Sequence, residues 1–336
     1  MRKVMMNVFI QEFPKQLKTA LEIGEQATLS KHDRPIHNII VLGMGGSGIG
    51  GDFVAEFVRD SCSVPFLSCK GYDLPAYVGE NSLVIASSFS GNTEETLLTF
   101  EKALKRGAKI VCISSGGKLL EEAKRLNLDC IKIPSVQQPP RSCLGYSLVQ
   151  QLFVLNYFGF ASKQCIDDLR KSIALLEEQQ EQIKVKATNL ARKMHGKFPV
   201  IYATDRMGAV ALRLRQQLNE NSKILALHHV FPEMNHNELV GWREQSGEYA
   251  VLLFRSGSDF ERNQMRIEIS KGIINKVATS ILEVDCMGDS LIEQAMYAVH
   301  LGDWISWELA EARKVDSIEV NVIDLLKREL AAAALG

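Results

Sequence analysis

Short apolar runs alternate along the chain with longer stretches in which apolar residues recur every three or four positions. The short runs predict buried strands, and the longer stretches predict helices. In the first half, a helix over about 8–26 precedes the strands, and a helix over 147–158 follows them. The predicted strands lie near Ile39–Leu42, Val64–Cys69, Leu83–Ala86, Lys109–Ile113 and Cys130–Ile133. This alternation is typical of a parallel sheet with helices on both faces.

The same order of strands and helices starts again after a polar stretch. Further strands are predicted near 199–203, 224–227, 249–254 and 280–284, with helices over 208–217, 261–276 and 290–312. The polar stretch, Asp167 to Met194, predicts a long exposed helix that joins two domains. We therefore predict an α/β fold. Its parts would be an N-terminal domain over 1–160, a connecting helix over 161–195, and a C-terminal domain with a final helix over 196–336.

The turn after the strand at Leu83–Ala86 concentrates hydrogen-bonding groups. Ser88-Phe89-Ser90-Gly91-Asn92-Thr93 combines three hydroxyls, an amide and a glycine, and a helical pattern begins at Glu94. A helix N-terminus offers unpaired N–H groups and partial positive charge, and glycine lets a ligand approach the backbone. These features favour a phosphate-binding turn. The alternative is an ordinary Ser/Thr-rich turn with a helix cap.

A second turn of this kind follows the first predicted strand. Six glycines fall within the nine residues from Gly43 to Gly51, and such a density is costly unless the backbone needs positive φ or close contact with a ligand. Gly43, Gly45 and Gly48 also match the G-x-G-x-x-G dinucleotide pattern. That pattern expects an acidic residue after the next strand, where this chain has Lys70. A dinucleotide site is therefore disfavoured, although Lys70 leaves contact with an NADP phosphate open.

Composition narrows the class of protein. The 336 residues carry a net charge of −1, and 46% of them are hydrophobic, which is typical of a globular protein and argues against nucleic acid or an anionic membrane as partner. No apolar run approaches the roughly 18 residues of a membrane span. The seven cysteines are scattered and form no C-x-x-C pair. We therefore expect free thiols, no zinc site and a cytoplasmic location.

Residues that suit acid–base chemistry stand in the second half of the chain. Glu220 lies in Asn-Glu-Asn, and His236 lies in His-Asn-Glu. A carboxylate and an imidazole beside a phosphate-anchored substrate can act as general base and general acid. Arg141, after two prolines, and Lys327, in the last predicted helix, are further charged candidates. From the residues alone, the alternatives are a solvated Glu220, a structural His236 and a surface Lys327.

These motifs occur together and in a fixed order: Gly43 to Asp52, Ser90 to Thr93, Pro140-Arg141, Asn219-Glu220-Asn221 and His236-Asn237-Glu238. With this set, the chain resembles the bifunctional phosphoglucose/phosphomannose isomerase family over most of its length. The resemblance implies two sugar isomerase (SIS) domains, each a parallel sheet flanked by helices, and a homodimer. The Ser-Gly-Asn-Thr turn is shared by many SIS proteins. The Asn-Glu-Asn and His-Asn-Glu motifs at this spacing are more specific.

The resemblance also implies a substrate and its phosphate site. Glucose 6-phosphate, and mannose 6-phosphate with it, would be interconverted with fructose 6-phosphate through a cis-enediol, without cofactor or metal. The groups implied to hold the substrate phosphate are a backbone amide and four hydroxyls, those of Gly46, Ser47, Ser88, Ser90 and Thr93.

Four charged residues carry the implied chemistry. Glu220 would be the base that moves the proton between C1 and C2, and Arg141 would bind the substrate and stabilise the enediolate oxygen. His236 would open the sugar ring and would reach the site from the partner subunit. Lys327 would assist ring opening.

The segment before Lys327 departs from the family pattern. Family members often carry an Asp-Pro-rich segment there, whereas this chain reads Val315-Asp316-Ser317-Ile318-Glu319. Residues in this region can help make room for the C2 epimer, so mannose activity is less firmly implied than glucose activity. Three rival classes stay open: a non-catalytic SIS sugar-phosphate sensor, an SIS enzyme for another phosphosugar such as an amino sugar, and a dinucleotide oxidoreductase.

Overall fold

Two parallel β-sheets organise the chain, which is described over residues 5–243 and 248–333 in a computed structural model. The first sheet has the order β2-β1-β3-β4-β5. Its strands are β1 (Asn38–Leu42), β2 (Phe66–Cys69), β3 (Ser82–Ser88), β4 (Lys109–Ser114) and β5 (Asp129–Lys132). Strands β1 and β3 are buried along their whole length, as their continuous apolar runs predict.

The second sheet has four parallel strands in the order β7-β6-β8-β9. They are β6 (Phe198–Thr204), β7 (Leu227–Phe231), β8 (Tyr249–Arg255) and β9 (Ser280–Asp285). Helices flank both sheets, and the predicted α/β fold is confirmed. Strand β7 lies at the edge of its sheet, so the turn that follows it borders solvent.

Twelve α-helices lie within the described residues. Those of the first half are α1 (Met6–Gln11), α2 (Phe13–Gln26), α3 (Gly45–Val58), α4 (Glu94–Lys105), α5 (Gly117–Arg125) and α6 (Leu144–Tyr157). Those of the second half are α7 (Lys163–Glu178), α8 (Gln180–Met194), α9 (Gly208–Glu220), α10 (Glu261–Ile274), α11 (Leu291–Arg313) and α12 (Asn321–Ala333).

One continuous apolar core joins the two sheets. Helix α11 is buried along most of its length and packs against α7, α8 and α9. The same core contains Val41 and Ile85 from the first sheet together with Leu252 and Phe254 from the second. The two sheets are therefore held in one packed body, which fixes side chains of one relative to side chains of the other.

The predicted long exposed helix between the domains is wrong. Residues 163–194 form two helices, α7 and α8, with a break at Gln179. The apolar stripes of the two helices, which include Leu169, Leu176 and Ile183, are buried, and both helices pack against α11. The many Gln, Glu and Lys residues occupy only the solvated faces, so overall polarity conceals a core-facing stripe.

Two smaller predictions also differ from the structure. The N-terminal helix is broken at Glu12, where α1 ends and α2 begins with Pro14 in its first turn. The strand predicted at 224–227 lies later, as β7, and includes His228 and His229. An edge strand tolerates such polar residues. Because they interrupt the apolar run, the sequence pattern does not predict a strand there. The bounds of the two domains stay a prediction.

Candidate functional site

Hydroxyl groups surround the N-terminus of α4. Ser88 ends β3, and Thr93 stands directly before α4. The Ser88 Oγ and Thr93 Oγ1 atoms lie 2.9 Å apart, and the Gly91 N–H donates to Ser88 Oγ over 3.1 Å. The Ser90 hydroxyl accepts from the Asn92 N–H at 3.2 Å. The turn thus presents hydroxyls beside the positive end of a helix, the arrangement that suits an anion.

Glycine is required at one position of this turn. Gly91 has φ +69°, and a Cβ built on it would lie 1.8 Å from the carbonyl oxygen of Gly116. No residue with a Cβ fits at this position unless the backbone moves. Asn92 ties the same turn to α5, because its Oδ1 accepts from the Lys118 N–H at 3.1 Å. The turn is therefore held from two sides.

The glycine-rich turn lies at the same edge of the first sheet. Strand β1, which it follows, pairs with β3 in parallel, so the turns after these two strands are neighbours. A Cβ on Gly46 would lie 3.2 Å from the Pro140 carbonyl oxygen. Ser47 is buried in the first turn of α3, and its carbonyl accepts from Gln151 Nε2 at 3.1 Å. The glycines let the short 3-10 helix Pro140–Ser142 approach this turn closely.

Arg141, in that 3-10 helix, is buried and reaches the second half of the chain. Its side chain is 6% exposed. Its Nε donates to Asn221 Oδ1 over 2.6 Å, and one terminal nitrogen donates to the carbonyls of Ser317 and Ile318 over 2.6 and 3.0 Å. The other terminal nitrogen lies 3.4 Å from the Glu220 carboxylate. Burial lowers the pKa of the Arg141 guanidinium, and the Glu220 carboxylate opposes that shift.

Glu220 is the last residue of α9 and lies between two fixed asparagines. Asn219 donates to the Ile224 carbonyl over 2.6 Å, and Asn221 donates to Ser306 Oγ over 2.9 Å. The Glu220 side chain stays 33% exposed, beside the buried Arg141. The Asn-Glu-Asn motif therefore fixes the backbone on both sides of a carboxylate that solvent or a substrate can reach.

A buried ion pair supports this arrangement from behind. Arg213 on α9 and Asp303 on α11 are 4% and 7% exposed, with 2.6 Å between their closest charged atoms. Arg213 also donates to the Arg141 carbonyl over 3.1 Å, and Gln217 donates to Asp303 over 2.9 Å. The backbone of Arg141 is thus tied to two helices of the second half.

His236 and Lys327 are both exposed in the single chain. His236 is exposed in a 3-10 helix over Glu233–His236 that follows β7. Lys327 is exposed on α12, none of whose residues is buried. Within residues 5–243 and 248–333, neither side chain bonds to Glu220 or Arg141. The structure therefore brings together two of the four predicted catalytic residues.

Comparison with known proteins places the chain in a family. The SIS domain family matches residues 34–159, and the family described as bacterial phospho-glucose isomerase C-terminal SIS domain matches residues 183–330. A bifunctional phosphoglucose/phosphomannose isomerase of Caldicellulosiruptor bescii is 35% identical over 96% of this chain and 98% of its own length. One of Aquifex aeolicus is 37% identical over 91% of this chain and 94% of its own.

The chain belongs to the bifunctional phosphoglucose/phosphomannose isomerase family.

Solved structures of other proteins share this fold. Tagatose-6-phosphate ketose/aldose isomerase from Escherichia coli superposes with a TM-score of 0.69 at 14% identity, covering 95% of this chain and 96% of that one. Glucosamine-6-phosphate deaminase from Thermotoga maritima gives a TM-score of 0.69 at 14% identity, covering 92% and 96%. At these identities the likeness concerns the fold alone, and the family assignment rests on the sequence relatives.

Three charged residues that support the candidate site are not among those predicted from the sequence: Arg213, Asp303 and Lys223. Arg213 and Asp303 are 90 positions apart, and only their place on inward faces of α9 and α11 distinguishes them from surface charges. Lys223 lies three residues after Glu220, just past the end of α9. Its ammonium donates to the Glu220 carbonyl and, over 2.7 Å, to the Glu319 carbonyl. A lysine just past a helix C-terminus is a signal that could have found it.

The described residues contain neither a cluster of metal ligands nor a membrane-spanning helix. Across 5–243 and 248–333, no three His, Cys, Asp or Glu side chains are grouped so as to hold a metal ion. No helix in this part of the chain is long and apolar enough to cross a membrane.

Proposed function

We propose that the protein is an aldose–ketose isomerase that interconverts glucose 6-phosphate, and mannose 6-phosphate, with fructose 6-phosphate through a cis-enediol. The observation that carries this proposal is the pairing of Arg141 with Glu220 across the two halves of the chain, with 3.4 Å between them. A carboxylate that can be reached and a buried fixed cation are the two groups that an enediol mechanism needs. The family relatives carry this activity in their names.

The substrate phosphate binds where the two turns of the first sheet meet. The supporting groups are the Ser88 and Thr93 hydroxyls at the N-terminus of α4, together with Ser90, Ser47 and the Gly46 backbone. This site lies away from the reacting carbons. Its binding energy therefore holds C1 and C2 beside Glu220 and makes proton transfer effectively unimolecular.

Glu220 takes the proton from C2 of the open-chain aldose. A second proton passes from the C2 hydroxyl to the C1 oxygen, and Glu220 returns its own proton to C1, which yields the ketose. As the C–H bond breaks, its electron pair forms the C1–C2 double bond, and the carbonyl oxygen takes on negative charge. Arg141 stabilises that oxygen, a contribution of about 3 kcal/mol when the cation is preorganised. Its Nε and one terminal nitrogen are committed to Asn221 and the C-terminal carbonyls. The terminal nitrogen that faces Glu220 is the one that binds the substrate oxygen.

Loss of stereochemistry at C2 admits the second substrate. The enediol is planar at C2, so a proton returned to the opposite face yields mannose 6-phosphate. The Val315–Glu319 segment lies beside Arg141 through the Ser317 and Ile318 carbonyls, so its departure from the family pattern falls next to the reacting carbons. Glucose 6-phosphate is accordingly the main product from fructose 6-phosphate, and mannose 6-phosphate is the lesser one.

His236 opens the sugar ring from the partner subunit of a homodimer, and Lys327 assists. Both residues are exposed in the single chain, and α12 leaves an apolar set uncovered: Val322, Ile323, Leu325, Leu326 and Leu330. A second copy would cover such a face. The seven cysteines are free thiols, which supports a reducing cytoplasm as the location.

Subunit complementation tests the partner role of His236. The variants Glu220→Gln and His236→Ala are each expected to be inactive. If His236 acts across the interface, a mixed dimer has one intact site, and mixing the two variants restores about a quarter of the wild-type activity. If His236 acts within its own subunit, no site is intact and the mixture stays inactive.

Conversion of fructose 6-phosphate by the purified protein, without added nucleotide, tests the activity itself. Proton NMR is expected to detect glucose 6-phosphate first and mannose 6-phosphate second, and free fructose is expected to stay unchanged because it lacks the phosphate. Binding of fructose 6-phosphate without conversion would favour a sensor. Absence of both would favour another phosphosugar; a relative named D-glucosamine-6-phosphate 4-epimerase, from Sulfolobus acidocaldarius, is 31% identical over 62% of this chain.

A further inference from the structure

Lys223 occupies an unusual place directly after the proposed base. Glu220 is the last residue of α9, so its carbonyl is one of the helix-end acceptors that has no partner within the helix. The chain then turns through the buried Asn221 and Ser222, and Lys223 adopts the left-handed conformation with φ +57°. This turn brings the Lys223 ammonium back to the Glu220 carbonyl, to which it donates. Lys223 therefore closes the helix end that carries Glu220.

The same ammonium also holds the C-terminal segment. It donates to the Glu319 carbonyl over 2.7 Å and lies 3.6 Å from the Glu319 carboxylate. Arg141 holds the neighbouring carbonyls of Ser317 and Ile318. Residues 315–319, here called the C-terminal clasp, are thus bound by Arg141 from the first half of the chain and by Lys223 from the second.

Glu319 is the second acidic group whose charge acts on Arg141. Both the Glu220 and the Glu319 carboxylates oppose the lowering of the Arg141 pKa by burial, and Glu220 has the larger effect. Lys223 is half-buried, and its own pKa is lowered by that burial against the pull of Glu319. The Lys223 ammonium, 3.6 Å from the Glu319 carboxylate, offsets that negative charge.

We propose that Lys223 is a positioning residue for the isomerisation: its ammonium fixes the end of α9 against the C-terminal clasp and keeps Glu319 from competing for Arg141. This inference rests on the proposed function. It concerns how Glu220 and Arg141 are held, and it gives Lys223 no contact with the substrate. Substitution of Lys223 is therefore expected to change kcat rather than KM, because the phosphate site lies on the other sheet and keeps its contacts.

The test compares Lys223→Met and Lys223→Arg with wild type. Lys223→Met is expected to lower kcat by roughly tenfold to hundredfold, with KM for fructose 6-phosphate changed by less than about threefold, because misplacement of a catalytic group acts on the chemical step. Lys223→Arg keeps the charge and donors and is expected to recover most of the loss. Adding Glu319→Gln to Lys223→Met removes the competing charge and is expected to raise kcat again.

Lys109→Met is the matched control. Lys109 also forms an ion pair, with Asp129 at 2.7 Å. It stands at the beginning of β4, whereas the phosphate turns follow the ends of β1 and β3. The Lys109→Met variant is expected to be less stable than wild type and to keep the wild-type kcat. If Lys223→Met keeps kcat while its melting temperature falls as in Lys109→Met, the role is merely structural and the proposal is wrong.

Two further results would also overturn the proposal. One is an Arg variant as impaired as the Met variant, and the other is a double variant with Glu319→Gln that gains nothing. If Lys223→Met does not fold, Lys223→Gln, which keeps neutral donors, is measured for the same loss in kcat. A wild-type protein that does not convert fructose 6-phosphate would contradict the proposed function, whereas an active wild type with an unaffected Lys223→Met contradicts only this inference.

Discussion

Removal of Asp303 tests how the two halves of the site are held together. The Asp303→Ala variant leaves Arg213 charged, 4% exposed and without its carboxylate partner. A buried charge that loses its partner costs about 3–5 kcal/mol. Gln217 loses its acceptor as well, so we expect a loss in the upper part of this range. Because Arg213 also donates to the Arg141 carbonyl, kcat is expected to fall with stability.

Urea unfolding followed by tryptophan fluorescence measures this loss, since Trp304 and Trp307 lie on the same helix as Asp303. The midpoint is compared at constant m-value. Asp60→Ala is the matched control: Asp60 pairs with Arg206 at 2.9 Å, but its side chain is 80% exposed, so the expected loss is below about 1 kcal/mol. If Asp303→Ala costs no more than Asp60→Ala, the buried pair does not hold the site as described.

Three further substitutions test the two halves of the site separately. Thr93→Val removes a hydroxyl from the phosphate turn and is expected to raise KM about tenfold or more, as for a hydrogen bond to a charged group, while Thr93→Ser keeps KM; steady-state kinetics measure both. Gly91→Ala places a Cβ against the Gly116 carbonyl at a residue with φ +69°. Its control is Gly159→Ala, at a residue with φ +80° and open space around it, where the backbone conformation alone lowers the free energy of unfolding by about 1 kcal/mol. Urea unfolding is expected to show a larger loss for Gly91→Ala. Arg141→Lys keeps the charge but cannot replace the hydrogen bonds to Asn221 and the clasp, so kcat is expected to fall about a hundredfold. A loss below about threefold would show that Arg141 does not stabilise the transition state.

Most strands of the two sheets could be predicted because buried parallel strands have continuous apolar sequences. Strand β3, buried at all seven positions, is the plainest case. The prediction failed in segments where polar residues outnumber or interrupt the apolar ones. These are α7 and α8, whose apolar stripes are narrow, and β7, whose histidines lie on an edge strand. Local sequence gives the polarity of a segment, but its burial depends on what packs against it.

The candidate site shows the same division between local and distant information. The turn from Ser88 to Thr93 could be recognised because its groups are neighbours in sequence. The pairing of Arg141 with Glu220 joins residues 79 positions apart, and only the family resemblance placed them in one site. The position of Lys223 past a helix end is visible in the sequence, but its second partner, the Glu319 carbonyl, is 96 positions away. The roles of His236 and Lys327 stay predictions.

Deuterium transfer tests the central claim most directly. Fructose 6-phosphate is incubated in D2O with wild type and with Glu220→Gln, and proton NMR follows C2 of the aldose products. Wild type is expected to place deuterium at C2 of glucose 6-phosphate, whereas Glu220→Gln is expected to bind the substrate and to exchange at least about a thousandfold more slowly. Exchange by Glu220→Gln at a rate near that of wild type would contradict the assignment of Glu220 as the base.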